Sequence, residues 1–154
     1  MIEQLILLIH NTPLISAVVA WALAQILKAL HSKFVLKTFS KERFVGPGGM
    51  PSSHSATVSA LAVAVARTEG IGSTMFALSF ALAIVVMYDA VSVRYQAGQH
   101  AKALNIIIQQ MFDENKNDEE KFQLFKEVLG HTPLQVFVGV VLGILVGVFM
   151  PILG

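Results

Sequence analysis

Two polar clusters interrupt a chain that is otherwise mostly apolar. Residues 46–55 combine glycines, hydroxyl groups and the imidazole of His54 immediately before an apolar segment, and a second cluster contains Asp89, Arg94 and His100. The first N–H groups of a helix lack internal partners and carry the positive end of its dipole, so they bind oxyanions. Histidine exchanges a proton near neutral pH, and a guanidinium pairs with phosphate oxygens. These clusters predict a phosphate site.

Each cluster also has a purely structural interpretation. In the first, Ser52 or Ser53 would cap a helix while the glycines make a turn. In the second, Asp89 would form an ion pair with Arg94 or a lysine that locks a helix end, although an ionisable residue beside an apolar run often has a functional role. Both interpretations stay open at the level of sequence.

Composition indicates an integral membrane protein with a single domain, residues 1–154. Of the 154 residues, 55% are hydrophobic and 14% are charged. The absence of cysteine excludes disulfides and thiolate metal sites. A net charge of +1 argues against a nucleic-acid surface. The N-terminus lacks a basic region and a cleavage site, so we expect the first apolar segment to be retained.

The apolar segments predict an all-α membrane bundle of about four transmembrane or re-entrant helices plus a cytoplasmic amphipathic helix. Residues 56–66 are short for a span of about 20 residues unless their polar start lies at membrane depth, and they predict either a short or a partly re-entrant helix. An acidic, solvated stretch (113–120) and a short helix up to Leu129 follow the amphipathic helix. The apolar segments are 2–9, 13–30, 56–66, 73–93 and 133–153, and the amphipathic helix is 100–112.

The basic residues predict how these helices are oriented. With four spans, ten of the eleven lysines and arginines fall on one membrane face, and only Arg67 falls on the other. The positive-inside rule makes the basic face cytoplasmic. The same topology delivers His54, Arg94, His100 and His131 to that face, so the predicted site is cytoplasmic.

Three segments resemble the type 2 phosphatidic acid phosphatase superfamily, which includes the vanadium-dependent haloperoxidases, and in particular its divergent membrane branch. They are Gly48-Gly49-Met50-Pro51-Ser52-Ser53-His54-Ser55-Ala56, Val86-Met87-Tyr88-Asp89-Ala90, and the stretch from Val93-Arg94 through His100 to Leu104-Asn105. Residues 51–54 match three of four positions of the superfamily motif Pro-Ser-Gly-His. Arg94 and His100 reproduce an arginine and a histidine separated by five residues.

The resemblance implies a phosphatase that works through a phosphohistidine, without metal or cofactor. His100 would attack phosphorus, His54 would protonate the leaving oxygen, and Arg94 would hold the phosphoryl group with Gly49, Ser52 and Ser53. On one continuous helix, Arg94 and His100 would point about 120° apart. We therefore expect Gly98 to break the helix and let the two residues converge.

Two features of the superfamily are missing. Its first motif, a lysine followed after six residues by Arg-Pro, is absent, and Lys28, Lys41 or Arg43 are the alternatives for the missing cation. The aspartate expected four residues after the nucleophilic histidine is replaced by Leu104, and Asp89 is the candidate substitute because a carboxylate orients the histidine. His131 is interpreted as a peripheral residue beside the helix start formed by Thr132 and Pro133.

The predicted function is hydrolysis of a lipid phosphate or diphosphate at the cytoplasmic surface of the cell membrane. Expected substrates include phosphatidate, phosphatidylglycerophosphate and polyprenyl diphosphate. The alternative is a noncatalytic membrane protein that binds, carries or senses a phosphorylated lipid. Glycines at every fourth position of the last span, Gly139, Gly143 and Gly147, allow close helix packing within the subunit or in a homodimer, and we favour the homodimer.

Overall fold

The structure, a computed structural model, describes residues 2–34, 49–113, 125 and 131–153. All regular secondary structure in these residues is α-helical, which confirms the all-α prediction. The predicted acidic stretch beyond Asp113 and the short helix up to Leu129 lie outside the described residues. The helices are α1 (Ile2–Ile9), α2 (Thr12–Phe34), α3 (Ser53–Thr68), α4 (Thr74–Val91), α5 (Val93–Asp113) and α6 (Pro133–Phe149).

Short polar side chains set the beginnings of the helices. Ser73 Oγ accepts the N–H of Phe76 at 3.1 Å at the start of α4. Thr132 caps α6 in a capping box with Gln135, and Pro133 occupies the first turn, as the sequence predicted. Because these groups bond N–H donors that lack partners within the helix, they fix where each helix begins.

Two helical stretches, Thr12–Phe34 and Thr74–Gln110, are long and apolar enough to cross a bilayer by length and composition. The apolar α6 is shorter. α3 has 16 residues, which is about 24 Å of helix against a hydrocarbon core of about 30 Å. Large apolar side chains on the outer surface, such as Trp21, Phe80 and Phe137, are exposed as expected for contact with lipid.

Contacts at the two ends of the bundle define the directions of its helices. The N–H of Ser52 donates to the carbonyl of Gln135, and the N–H of His131 donates to the carbonyl of Ala90. Thus α3 and α6 begin, and α4 ends, at one end of the bundle, which we call the upper end. At the lower end, the N–H of Leu153 donates to Thr12 Oγ1, where α2 begins. Helices α2 and α4 therefore run opposite to α3 and α6.

Small residues form the centre of the bundle. Ala20 and Ala24 of α2 pack with Ala56 and Ala60 of α3, and all four are fully buried. Small side chains let helix backbones approach closely, which is the usual way to stabilise helix packing in a membrane. Within the described residues the core between these helices is closely packed.

The glycines of α6 face α3 of the same chain. A Cβ atom at Gly139 would lie 2.5 Å from the carbonyl oxygen of Ser52, and one at Gly143 would collide with the carbonyl oxygen of Ala56. The homodimer interface predicted through Gly139, Gly143 and Gly147 is therefore corrected to an intramolecular contact. A dimer formed through another surface stays a prediction.

Helix α5 continues without interruption through Gly98. The predicted break at Gly98 is wrong, because this residue is buried within the helix and keeps α-helical geometry. Arg94 and His100 therefore remain six residues apart on one helix and project about 120° away from each other.

Candidate active site

The loop before α3 holds its first turn tightly. Ser52 is fully buried, and its Oγ accepts the N–H of Ser55 at 3.4 Å and the hydroxyl of Ser55 at 3.0 Å. Ser53 is also buried. The structure thus shows that the Ser52 hydroxyl caps α3. The predicted contact of Ser52 with phosphate would therefore use its backbone and not its hydroxyl. His54 follows in the first turn with an exposed ring.

Lys28 packs against this loop from α2. Its side chain is buried with 6% exposure, and a Cβ atom at Gly49 would lie 3.0 Å from Lys28 Cγ. Gly49 has a φ of +91°, a conformation that L side chains rarely adopt, so glycine satisfies both the backbone and the packing. Of the three cations considered for the missing motif, Lys28 reaches the site, whereas Lys41 and Arg43 lie outside the described residues.

His54 and His131 face each other across the upper end of the bundle. Their ring centroids are 6.4 Å apart and the rings are inclined by 61°. The backbone N–H of His131 donates to the carbonyl of Ala90 at 3.1 Å, which ties this residue to the end of α4. His131 thus lies beside His54 in the candidate site, where the sequence analysis expected only a peripheral residue.

Gln135 orients the ring of His131. Its Oε1 accepts the N–H of Thr132 at 3.2 Å and lies 3.1 Å from His131 Nδ1. Because an oxygen that already accepts a backbone N–H can only accept again, Nδ1 carries the hydrogen when the imidazole is neutral. Nε2 then holds the free lone pair, which is the state that a nucleophilic imidazole requires.

The surroundings of His131 keep the ring unprotonated. Burial lowers the pKa of His131, and the positive charges of Lys28 and Arg94, together with His54, act in the same direction. The hydrogen bond with Gln135 opposes this shift, since it favours the protonated ring. Burial is the largest of these effects. His131 is therefore a neutral base at neutral pH.

Asp89 and Arg94 join the end of α4 to the start of α5. Arg94 Nε donates to Asp89 Oδ2 at 2.6 Å, and both side chains are partly exposed. The ion pair considered at the level of sequence is confirmed. A bond through Nε leaves the two terminal nitrogens of the guanidinium for other acceptors. The charges of Arg94, Lys28 and Asp89 all act on His54, so the four residues lie close together.

His100 is not placed with this group. It lies exposed on α5 and projects about 120° away from Arg94 around the helix axis. The spacing of Arg94 and His100 therefore does not bring their side chains together on α5. Its assignment as nucleophile stays a prediction without a geometric basis in this structure.

Gln135 is the site residue that the sequence analysis missed. It follows His131 by four residues, the separation that the resemblance required between the nucleophilic histidine and its aspartate. The signal was therefore present in the sequence, with an amide in place of a carboxylate. It was overlooked because His131 lies far along the chain from Arg94.

The assembled site carries an excess of positive charge. Lys28 and Arg94 contribute two charges, Asp89 offsets one, and the two imidazoles add protonatable nitrogens. In the described part of the chain, no three His, Asp or Glu side chains are grouped to hold a metal ion. The prediction that no metal or cofactor is needed stays a prediction. The arrangement suits a phosphate dianion between a buried ammonium and a guanidinium.

Comparisons with known proteins identify the family of this chain. Residues 9–146 match the family model described as the Divergent PAP2 family. The chain is also 38% identical over 146 residues to YuiD of Bacillus subtilis strain 168, described as an uncharacterized membrane protein, with 90% of this chain and 92% of that protein covered. No solved structure matches. The chain therefore belongs to the Divergent PAP2 family of membrane proteins.

Proposed function

We propose that this protein is a membrane phosphohydrolase that removes phosphate from a lipid phosphate or diphosphate through a phosphohistidine on His131. The observation that carries the proposal is the pair of facing imidazoles, of which His131 is fixed by Gln135 while Lys28 and Arg94 act on both rings. This assignment replaces His100 with His131 as the nucleophile.

The first half of the reaction transfers the phosphoryl group to the protein. Nε2 of His131 attacks phosphorus while the ester bond to the lipid oxygen breaks, and His54, whose protonated form the bound phosphate dianion stabilises, gives its proton to that leaving oxygen. Lys28 and the terminal nitrogens of Arg94 balance charge on the phosphoryl oxygens. The ring centroids of His54 and His131 lie 6.4 Å apart, so both imidazoles can act on the same phosphoryl group.

The second half restores the protein. Neutral His54 takes a proton from water as the water oxygen attacks phosphorus, and the bond between phosphorus and Nε2 breaks to release inorganic phosphate. Atoms and charges balance over the cycle, because the proton given to the leaving group is recovered from water. His54 thus acts as the acid in the first half and as the base in the second, while His131 is first the nucleophile and then the leaving group.

The position of the site supports a substrate held in the membrane. The site lies at the upper end of a bundle whose outer surface is apolar, so acyl or prenyl chains can remain in lipid while the phosphate enters. The distribution of basic residues supports a position of the upper end at the cytoplasmic face of the cell membrane. Phosphatidate, phosphatidylglycerophosphate and polyprenyl diphosphate fit this description equally well.

One observation favours the alternative function, a noncatalytic protein that binds a phosphorylated lipid. Gln135 is a neutral amide, so it orients His131 but stabilises the imidazolium less than a carboxylate would. The same cations would then hold a phosphate without turnover. Carriage of a lipid through the centre of the bundle is less consistent with the close packing of Ala20, Ala24, Ala56 and Ala60.

The test is phosphate release from a panel of lipid phosphates by the purified protein and by three alanine variants. We expect His131→Ala and His54→Ala to abolish release, and His100→Ala to keep it. An acid-labile phosphoryl label should appear on the wild-type protein and be absent from His131→Ala. Thermal unfolding of each variant shows whether it is folded.

Two other outcomes would contradict this proposal. Loss of the label and of release in folded His100→Ala, with His131→Ala still active, would restore His100 as the nucleophile. Vanadate binding by the wild-type protein without release from any lipid would establish the binding function instead.

A further inference from the structure

Helix α5 presents three different faces. One face is packed against the protein, because Gly98, Ala101 and Asn105 are buried. The side-chain amide of Asn105 donates to the carbonyl of Phe125 and accepts its N–H, both at 2.9 Å. These two bonds hold the rotation of α5 about its own axis.

A second face is an exposed stripe that we call the α5 stripe, formed by Val93, His100, Leu104 and Ile107. These four positions fall within an arc of about 60° on a helix of 3.6 residues per turn. The apolar members are 57%, 46% and 51% exposed, respectively. The third face carries the exposed polar residues Gln99, Lys102 and Gln110 together with the exposed Ile106, so it is mainly polar.

We propose that the α5 stripe lies on the lipid surface at the upper end of the bundle. Helix α5 begins at Val93, two residues after α4 ends at Val91, and both belong to one helical stretch, Thr74–Gln110, that is long and apolar enough to cross a bilayer by length and composition. A helix with a marked apolar face and a largely polar composition is the type that lies in the plane of a membrane interface. The apolar surface closest to its start is the bilayer from which α4 emerges.

The three faces match three environments. The face with Asn105 contacts protein, and the face with Gln99 and Lys102 contacts water. The α5 stripe lies between these two faces and contacts lipid. His100 then lies at headgroup level, where a ring with one apolar body and a polar edge is well accommodated. The inference does not depend on the proposed hydrolysis, since Arg94, the residue of α5 that belongs to the candidate site, lies outside the arc of the α5 stripe.

The experiment uses single tryptophans in the full chain. The one native tryptophan is replaced in the background Trp21→Phe. Leu104→Trp then probes the stripe, and Gln99→Trp is the matched control on the polar face of the same helix. Each protein is reconstituted in vesicles of phosphatidylcholine and phosphatidylglycerol, with and without bromine on the upper part of the acyl chains. Ile107→Trp is a second stripe variant if Leu104→Trp does not fold.

We expect brominated lipid to remove most of the fluorescence of Leu104→Trp and little of that of Gln99→Trp. Acrylamide, a quencher dissolved in water, should show the reverse order. Equal acrylamide quenching of both positions would overturn the proposal, because the stripe would then face water. A third result would also overturn the proposal: Leu104→Trp is protected from acrylamide, is not quenched by brominated lipid, and loses its protection when the vesicles carry less protein. The stripe would then be covered by a second copy of the chain.

Discussion

The side-chain oxygen of Gln135 lies 3.1 Å from Nδ1 of His131, and this contact determines which ring nitrogen is free to react. The backbone carbonyl of Gln135 also accepts the N–H of Ser52 at 3.0 Å, just before His54. One residue therefore fixes both segments that carry the facing histidines. Its side chain and its backbone do so through different atoms, so the two effects can be separated by mutation.

Replacing the amide tests the first effect. Gln135→Ala frees the His131 ring while keeping the backbone contact with Ser52, and we expect kcat to fall about 100-fold because the nucleophile is no longer held in position. KM should change little, since the cations are untouched. Steady-state phosphate release measures both constants.

Gln135→Glu is the matched control for that experiment. It keeps an oxygen acceptor at the same distance along the side chain, so turnover should remain far above that of Gln135→Ala. The added negative charge should also raise the pKa of His131 relative to the native protein. An equal loss of kcat in both variants would show that the contact with Nδ1 does not position the ring.

The titration of His131 provides a prediction about pH. Burial lowers its pKa below the ordinary histidine value of 6.5, so the ring takes up its proton only at lower pH. The unfolded chain binds this proton more readily than the native state does. His131 therefore contributes to the free energy of unfolding at pH values above 6.5, and this contribution is lost as the pH falls towards the lowered pKa.

Magnetic resonance of histidine labelled in the ring follows this titration directly. The signal of His131 is identified by its absence from His131→Gln, and its midpoint should lie below pH 6.5. The proposed nucleophile should lose activity over the same interval as it becomes protonated. A midpoint at or above the ordinary value would mean that the ring is not held in the buried position described here.

Lys28 should bind the phosphoryl group. Lys28→Met removes the charge but keeps an unbranched apolar chain against Gly49, so the loop should stay in place. We expect vanadate affinity to fall about 10- to 100-fold, as for loss of one partner in a buried charged contact. Inhibition of phosphate release by vanadate measures the effect, or direct calorimetry if turnover is too slow.

Lys33→Met is the control for Lys28, because Lys33 lies on the same helix but is exposed. It should leave vanadate affinity nearly unchanged, since exposed charges act weakly through water. If both variants weakened binding equally, the effect would come from the general charge of the membrane face rather than from a specific contact.

The beginnings of the helices were predictable because local chemistry sets them. Ser52, Ser73 and Thr132 accept N–H groups that no helix can satisfy internally, and Pro133 favours a first turn. The grouping of His54 with Arg94 was also predictable, since topology alone brings both to one membrane face. These conclusions required only the order and polarity of the helices.

The role that we propose for His131 was not reached from the sequence. A spacing rule along one segment selected His100, but a continuous helix turns His100 away from Arg94. His131 comes to the site by packing of α6 against α3, a long-range contact that local pattern does not encode. The glycines of α6 illustrate the same limit, because their spacing is identical for packing inside a subunit and between subunits.

Gly143→Ala tests the packing that brings His131 to the site. A Cβ atom there would meet the carbonyl of Ala56, so α6 would have to move away from α3. Alanine favours a helix over glycine by about 1 kcal/mol, yet overpacking costs about 1–3 kcal/mol, and we expect a net loss of stability. Thermal unfolding in detergent measures it.

Gly72→Ala is the control, because a Cβ atom there has no neighbour within 4 Å. If Gly143→Ala instead kept its stability and dissociated an oligomer, the glycines would act between copies, and the link between α6 packing and the position of His131 would be lost.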